Sequence, residues 1–303
     1  MRAIEIRDVC PRDGLQDYEG DVPTARKAEI IRRIHAVGIR AIEVTSFVSP
    51  KAVPQLSDAE ALLEELRHDP LDGTVLSAFV ATRDGAERAL LSGIAELSTT
   101  VPATDGMTRA NFRRHRAAML DEVIAMRRAF ADQPMSITIA VAFGCPFDGV
   151  VPPSTVLTMA EQLAEAGYDR LFLGDTIGVA NPDQVSELVS ALAERVPGVR
   201  LGGHFHDARG SGVANVVAAV RAGATLIDAA LAGMGGCPFV AGAAGNVATE
   251  DVVWLLHDMG YEVGVELSEV AEASRWLRDL LDLPVRSRTP NVTRFEWEQR
   301  VTA

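Results

Sequence analysis

The chain has 303 residues, of which 48% are hydrophobic and 5% aromatic, a usual length for a single α/β barrel with a mainly aliphatic core. Asp and Glu number 42 against 29 Lys and Arg, a net charge of −13, which argues against nucleic acid and anionic membrane surfaces as partners. No apolar stretch approaches the roughly 20 residues of a membrane span. The N-terminus enters a strand pattern at once and only three cysteines are present, so we expect a cytoplasmic protein without signal peptide or disulfide framework.

Short apolar runs alternate with longer amphipathic ones along the chain. The apolar runs predict eight strands, at residues 3–6, 41–45, 74–80, 96–100, 136–142, 170–173, 200–204 and 225–229. The 3- and 4-residue apolar spacing between them predicts helices at residues 23–34, 57–66, 84–91, 111–130, 154–166, 182–195, 212–222 and 249–259. Strands that are apolar on both faces are typical of parallel strands covered by helices. This count favours a closed (β/α)8 TIM barrel, with an open doubly wound sheet as the alternative.

No composition change marks a second domain, so we expect one catalytic domain over residues 1–303. The barrel would occupy residues 1–264, followed by a ninth helix at 265–281 and a tail from Pro284 that packs on the outside of the barrel. In such a barrel the loops that follow the strands share one face, where active sites lie. The unusual polar motifs of this chain all follow predicted strands, so they should converge on that face.

His204 and His206 stand two residues apart at the end of a predicted strand. Side chains at i and i+2 of a strand point to the same side, so both imidazoles can reach one metal ion. A His-x-His pair alone is weak evidence, because two packing or surface histidines would give the same pattern. Polar, Gly-punctuated segments after other apolar runs strengthen it, at residues 11–16, 144–149, 173–178 and 233–246.

Asp13 and Asn246 complete the candidate metal site, since they follow the first and last predicted strands. Two imidazoles, a carboxylate and an amide oxygen fit an octahedral Mg²⁺ or Mn²⁺ with open positions for water and substrate. Zn²⁺, Co²⁺ and Fe²⁺ are alternatives that the residue types leave open. Asp-Gly and Gly-Asn are also ordinary turn sequences, so each of the two residues taken singly is better explained by turn formation.

Two further residues have patterns that indicate a function. Glu43 lies inside a predicted buried strand, where a carboxylate is costly unless it is paired; Arg12 is a candidate partner for it, or for an anionic substrate. Cys237 lies in a loop that contains five glycines and is able to close over a ligand, where a thiol can donate or accept a proton. The alternative for Cys237 is a small buried side chain that fills space.

Together these motifs resemble the hydroxymethylglutaryl-CoA lyase family, within a wider superfamily of barrel metallolyases. The resemblance covers about residues 5–264. It rests on Pro-Arg-Asp-Gly-Leu-Gln at 11–16, Ile-Glu-Val-Thr-Ser-Phe-Val-Ser-Pro-Lys at 42–51, Gly-Cys-Pro-Phe at 144–147, Leu-Gly-Asp-Thr-Ile-Gly-Val at 173–179, His-Phe-His-Asp at 204–207, the loop at 233–246 and Ala-Thr-Glu-Asp at 248–251.

The resemblance implies a divalent-metal-dependent cleavage of a 3-hydroxy-3-alkylglutaryl-CoA into acetyl-CoA and a 3-keto acid. The metal ligands that it implies are Asp13, His204, His206 and Asn246. The catalytic residues that it implies are Arg12 for the enolate, Cys237 for proton transfer, and Asp175, His204 and Glu43. The residues that we expect to contact substrate or CoA are Gln16, Asn111 and Glu250.

The chain departs from the family's pattern in two places. After Gln16 it reads Asp-Tyr-Glu-Gly, without the family's usual lysine, and after Asp207 it reads Ala-Arg-Gly-Ser, which adds the charge of Arg209. A related enzyme acting on another hydroxyacyl-CoA or a free hydroxy-keto acid is therefore the first alternative. A metal-dependent hydrolase and an inactive binding protein are more remote ones. We also expect a homodimer whose ligand is a small acyl-CoA or hydroxy acid.

Overall fold

The computed structural model describes residues 2–236 and 245–291. Eight parallel strands close into a barrel in the order β1-β10-β9-β8-β5-β4-β3-β2, so the predicted TIM barrel is confirmed and the open sheet is excluded. The barrel strands are β1 (Glu5–Asp8), β2 (Ala41–Ser46), β3 (Val75–Phe79), β4 (Glu96–Pro102), β5 (Met135–Ala140), β8 (Arg170–Asp175), β9 (Arg200–Phe205) and β10 (Leu226–Ala229). A short antiparallel hairpin, formed by β6 (Gly144–Cys145) and β7 (Gly149–Val150), follows β5 and was not predicted.

Helices cover the outside of the barrel, as the amphipathic segments predicted. They are α1 (Thr24–Ala36), α2 (Ala59–Arg67), α3 (Arg83–Leu91), α4 (Asp105–Phe112), α5 (Arg116–Ala129), α6 (Pro153–Glu165), α7 (Pro182–Arg195), α8 (Gly212–Ala222), α9 (Thr249–Asp258) and α10 (Leu267–Leu281). The bounds of α7 agree with the prediction because its signals are strong: Pro182 stands at the first helical position, and Asn181 and Gln184 form a reciprocal capping box. No helix in the described ranges is long and apolar enough to cross a membrane.

The single helix predicted at residues 111–130 is wrong. The chain instead forms α4 and α5, and it breaks between them at Arg113, which adopts a left-handed conformation with φ of 54°. The carboxylate of Asp105 in the first turn of α4 accepts the backbone N–H of Arg116 at 3.0 Å, which folds the start of α5 back towards α4. Propensity alone did not show this break, because the stabilising contact spans two helices.

The first strand differs from the prediction in its bounds, and the C-terminal tail makes contacts that were not predicted. Strand β1 is shifted two residues along the chain because Glu5–Asp8 pairs with β10 on one side and β2 on the other. Part of the tail returns to the barrel face that carries the strand ends. There the carboxylate of Asp251, in the first turn of α9, accepts the backbone N–H groups of Arg288 and Thr289. These contacts connect the tail to the start of α9, and the expectation that the tail packs on the outside of the barrel stays a prediction.

The interior of the barrel is polar as well as apolar. Arg7 of β1 donates to the hydroxyl of Ser136 at 2.9 Å, although β1 and β5 lie on opposite sides of the closed sheet. The guanidinium of Arg7 therefore crosses the barrel interior, where its carbon Cζ lies 4.3 Å from the ring centre of Phe172. This interior network connects through Asp228 to His204 of β9.

Candidate metal centre and active site

Three predicted ligands meet at the face of the barrel formed by the carboxyl ends of the strands. Asp13 comes from a π-helical turn, Cys10–Gly14, that follows β1. His204 is the next-to-last residue of β9, and His206 comes directly after that strand. One ligand atom of each residue lies within 4.8 Å of those of the other two. The Nε2 atoms of both histidines are 3.9 Å from Oδ2 of Asp13. This spacing leaves room for one cation between the three side chains.

Asn246 joins the same cluster through its backbone and its amide. It forms an isolated antiparallel bridge with His206, and its Nδ2 donates to Oδ2 of Asp13 at 2.8 Å and to the carbonyl of Met234 at 3.2 Å. Among the described residues, neither the buried Oδ1 of Asn246 nor the buried Nδ1 of His206 has a hydrogen-bond partner. Buried polar atoms are costly to leave unsatisfied, so these two atoms fit a site that is completed by a ligand.

The protonation states of Asp13 and His206 suit a metal ligand. Burial opposes ionisation of Asp13, but the charges of Arg12, His204 and His206 and the Asn246 hydrogen bond hold the pKa of its carboxyl well below the usual range. Burial and the neighbouring His204 lower the pKa of His206 to about 4. At neutral pH the site therefore offers a carboxylate and a neutral imidazole, the protonation states that bind metals.

Arg12 connects this cluster to Glu43, as the buried position of Glu43 predicted. Its Nη1 is 2.7 Å from Oδ1 of Asp13, and its Nε donates to Oε2 of Glu43. Glu43 is 1% exposed in its side chain and also accepts the hydroxyl of Ser98, so both carboxylate oxygens are satisfied. The guanidinium lies 4.9 Å from the ring centre of Phe79. Arg12 is thus held rigidly beside the candidate metal ligands.

The other predicted site residues are spread over a wider region. Gln16 donates to Oδ1 of Asp13 at 3.4 Å. Asp175 ends β8 and accepts the backbone N–H groups of Val179 and Ala180 at 2.9 and 3.1 Å, and burial raises the pKa of its carboxyl. Asn111 is exposed on α4, outside the cluster. Cys237 lies outside the described residues.

Glu250 is buried behind the cluster and not at its opening. It accepts the hydroxyl of Ser274 on α10 and the backbone N–H of Ala232 at 3.2 Å, and burial raises the pKa of its carboxyl. Ala232 has φ of 61°, in the left-handed region, so Glu250 stabilises an unfavourable turn just after β10. Its observed contacts are those of a residue that supports the turn at Leu231–Gly233.

The sequence analysis missed Arg7, Asp8 and Asp228, all buried. Asp228 accepts Nε and Nη2 of Arg7 at 2.8 and 2.9 Å and contacts Nδ1 of His204 at 3.1 Å. The available signal was the one that identified Glu43: a charged residue flanked by apolar residues in a predicted buried strand. Asp8 lies beneath the Cys10–Gly14 turn and accepts the hydroxyl of Thr249 at 2.7 Å.

The barrel and this cluster define the chain as a TIM-barrel protein with a candidate metal site at the carboxyl ends of the strands. A profile of the family described as HMGL-like matches residues 3–277, and the chain belongs to that family. It is 38% identical to the (R)-citramalyl-CoA lyase of Chloroflexus aurantiacus, over 94% of this chain and 93% of that protein. It is 36% identical to the hydroxymethylglutaryl-CoA lyase of Pseudomonas mevalonii, over 95% of this chain and 96% of that one.

Solved structures of lyases in this family have the same fold as this chain. An HMG-CoA lyase from Acinetobacter baumannii, crystallised with coenzyme A and 3-methylmalate, superposes with a TM-score of 0.91 at 33% identity, covering 97% of this chain and 96% of that one. The HMG-CoA lyase of Bacillus subtilis has a TM-score of 0.91 at 35% identity, covering 96% and 98%. The lyase family predicted from the motifs is confirmed, while the relatives differ in their acyl substrates.

Proposed function

We propose that this protein cleaves 3-hydroxy-3-methylglutaryl-CoA, or a close 3-hydroxy-3-alkyl analogue, into acetyl-CoA and a 3-keto acid. The observation that carries the proposal is the convergence of Asp13, His204 and His206 within 4.8 Å, with Arg12 fixed 2.7 Å from Asp13. This places a cation site and a permanent positive charge side by side. Cleavage of the carbon–carbon bond needs a cation at the substrate hydroxyl and a positive charge at the thioester oxygen.

The residues present fit a divalent metal. The HMGL-like family is divalent-metal dependent, and the unpartnered Oδ1 of Asn246 beside Asp13, His204 and His206 gives a mixed oxygen and nitrogen set without thiolate. Such a set favours Mg²⁺ or Mn²⁺, with Zn²⁺ and Co²⁺ as alternatives. A metal bound there would acidify the substrate hydroxyl and orient the groups next to it.

The chain's own residues then account for the charge and proton movements. We assign to Asp175, the buried carboxylate that ends β8, the role of base that takes the C3 hydroxyl proton. The C3–O bond then becomes a carbonyl, and the C2–C3 bond breaks with its electron pair passing to the thioester enolate. Arg12 stabilises that negative oxygen, because Glu43 holds the guanidinium in place before charge develops. A proton must then return to C2, and we assign that step to Cys237, with the protonated Asp175 as the alternative donor.

Citramalyl-CoA is a second candidate substrate, and the 38% identity to a citramalyl-CoA lyase over 94% of the chain favours it. It carries the same tertiary hydroxyl at C3 and differs by one methylene between C3 and the carboxylate. The same bond would break, and the second product would be pyruvate. One methylene is usually worth only about 10–200-fold in discrimination, so both substrates should be tested on the same enzyme.

The test is a product assay with metal-free and Mn²⁺- or Mg²⁺-loaded enzyme. We expect acetyl-CoA together with acetoacetate from HMG-CoA, or with pyruvate from citramalyl-CoA, and only in the presence of metal. The dominant keto acid decides between the two substrates. Release of free CoA without a keto acid would instead indicate a hydrolase, and turnover by metal-free protein would contradict the metal site.

A further inference from the structure

Arg7, Asp228 and His204 form one hydrogen-bonded chain that ends at the metal cluster. Arg7 binds both oxygens of Asp228, Nε to Oδ1 at 2.8 Å and Nη2 to Oδ2 at 2.9 Å. Oδ2 of Asp228 also lies 3.1 Å from Nδ1 of His204. Arg7 and Asp228 face each other in the register of β1 and β10, and Asp228 faces His204 in the register of β10 and β9. Three neighbouring strands therefore hold the three side chains side by side.

The direction of these hydrogen bonds is fixed by chemistry. A guanidinium has only donors, so both oxygens of Asp228 must accept from Arg7. Oδ2 can then contact Nδ1 of His204 only if that nitrogen carries the proton. In a neutral imidazole the other nitrogen, Nε2, is left with its lone pair, and Nε2 is the atom 3.9 Å from Oδ2 of Asp13.

The contrast with His206 shows that this arrangement is particular to one ligand. Nδ1 of His206 has no hydrogen-bond partner in the described ranges, and the residue is positioned through its backbone bridge to Asn246. His204 is instead oriented through its side chain. Arg7 is itself fixed on three sides, by Asp228, by the hydroxyl of Ser136 and by the ring of Phe172. The chain therefore runs from the far wall of the barrel to the cluster.

We propose that Arg7 is a positioning residue for the metal centre: through Asp228 it fixes the ring orientation and the Nδ1–H tautomer of His204, and so presents Nε2 to the cation. Carboxylates commonly orient metal-binding histidines in this way, and loss of such a partner typically costs about 10–100-fold in metal affinity. The guanidinium of Arg7 binds both oxygens of Asp228, which a single point charge cannot do with the same geometry. The inference rests on the metal centre of the proposed function but is independent of the acyl substrate.

The first measurement uses the wild-type protein without metal. The full-length protein is labelled with ¹⁵N-histidine and studied at a pH where the imidazole rings are neutral. Long-range ¹H–¹⁵N correlation spectra then report the tautomer of each ring. Comparison with His204→Gln identifies the signals of His204. We expect the Nδ1–H form at His204. In Asp228→Asn the amide can donate to Nδ1, so the Nε2–H form should increase, as an equivalent Asp-to-Asn change produces the wrong tautomer in serine proteases. An Nε2–H tautomer in the wild type would overturn the proposal.

The second measurement titrates Mn²⁺ alone into chelator-treated protein and records its dissociation constant. Arg7→Met should weaken Mn²⁺ binding about 10–100-fold, and Arg7→Lys should recover part of that loss because it restores charge without the bidentate geometry. Arg170→Met is the matched control, since Arg170 also pairs with a buried strand carboxylate, Glu96; its Mn²⁺ affinity should stay within about twofold of wild type.

The two measurements separate the role of Arg7 from the existence of the metal centre. Wild-type Mn²⁺ affinity in folded Arg7→Met would overturn the role of Arg7, and circular dichroism checks the fold. If Arg7→Met does not fold, the Mn²⁺ affinity of Arg7→Lys and the tautomer of His204 in the wild type still test the role of Arg7. If wild-type protein binds no Mn²⁺, the proposed metal centre fails, while the tautomer measurement still decides whether Arg7 and Asp228 orient His204.

Discussion

Nδ2 of Asn246 donates to Oδ2 of Asp13 over 2.8 Å, and this contact determines which atom of the amide remains for a cation. With Nδ2 committed to Asp13 and to the carbonyl of Met234, Oδ1 has no partner among the described residues. The same hydrogen bond holds Asp13 in position between the two histidines. Asn246 therefore organises the cluster and offers it a ligand atom.

Loss of a ligand should weaken metal binding without unfolding the barrel. We expect His206→Ala and Asn246→Ala each to raise the Mn²⁺ dissociation constant at least about tenfold, because each removes one donor from the set. Calorimetric titration of chelator-treated protein measures this, and turnover should return with added Mn²⁺. His257→Ala, at an exposed position on α9, is the control and should bind Mn²⁺ like the wild type.

Replacement of Arg12 should separate its catalytic role from its structural one. Arg12→Met should lower kcat by roughly 10²–10³, the loss expected for one preorganised electrostatic donor. It also leaves buried Glu43 without its cation, so the free energy of unfolding should fall by up to about 3–5 kcal/mol. Arg12→Lys keeps a positive charge and should lose less of both. An unchanged kcat in Arg12→Met would remove Arg12 from the chemistry.

Asp8 makes stability depend on pH. Burial raises its pKa to about 7 from an ordinary value near 3.8, against the opposing hydrogen bonds from Thr249 and Cys10. Because the folded pKa is above the unfolded one, folding favours the protonated form. This contribution to stability is complete below pH 4 and is lost as the pH rises through about 7.

Urea unfolding between pH 4 and 8 tests this expectation. The stability lost over that range should be smaller in Asp8→Asn than in the wild type, by on the order of 4 kcal/mol, because the amide does not ionise. Asp132→Asn, at an exposed carboxyl in the loop before β5, should leave the pH profile as it is in the wild type. Parallel profiles for wild type and Asp8→Asn would contradict the assignment.

Gly178 tests how closely the β8 loop packs on the metal ligands. Its φ is 60°, and a Cβ there would lie 2.8 Å from the carbonyl oxygen of His206. Gly178→Ala should therefore displace the strand end that carries the ligand and weaken Mn²⁺ binding as well as stability. Gly198 also has a positive φ, 93°, but with nothing within 4 Å, so Gly198→Ala should cost only about 1–2 kcal/mol of backbone strain. Equal Mn²⁺ affinity in both variants would exclude the steric effect.

The role of Cys237 stays a prediction. Cys10 and Cys145 are buried, so a thiol reagent that inactivates the native enzyme should act at Cys237, and acetyl-CoA should slow that inactivation. Cys237→Ala should lower turnover roughly 10²–10⁴-fold while Mn²⁺ affinity is retained. Cys145→Ala provides the comparison, and near-normal turnover in Cys237→Ala would leave Asp175 as the better proton donor.

The sequence by itself determined the barrel, its family and most residues of the candidate metal cluster. Alternating apolar and amphipathic runs are local patterns, and they predict the strands and helices of a barrel. Because the strand ends of a barrel share one face, the sequence predicts that Asp13, His204 and Asn246 lie close together. The need of buried Glu43 for a partner likewise predicted its pairing with Arg12. These inferences succeeded because each depends on the burial or the hydrophobic periodicity of a short segment.

Only the tertiary structure decided the contacts between distant segments. Arg7 and Asp228 are 221 positions apart, and nothing local in either strand indicates that register aligns them with each other and with His204. The break at Arg113 depends on a contact from Asp105 to the next helix, and the raised pKa of Asp8 depends on burial beneath a turn. Register, burial and electrostatic environment arise when the strands close into a barrel, so they cannot be read from any single segment.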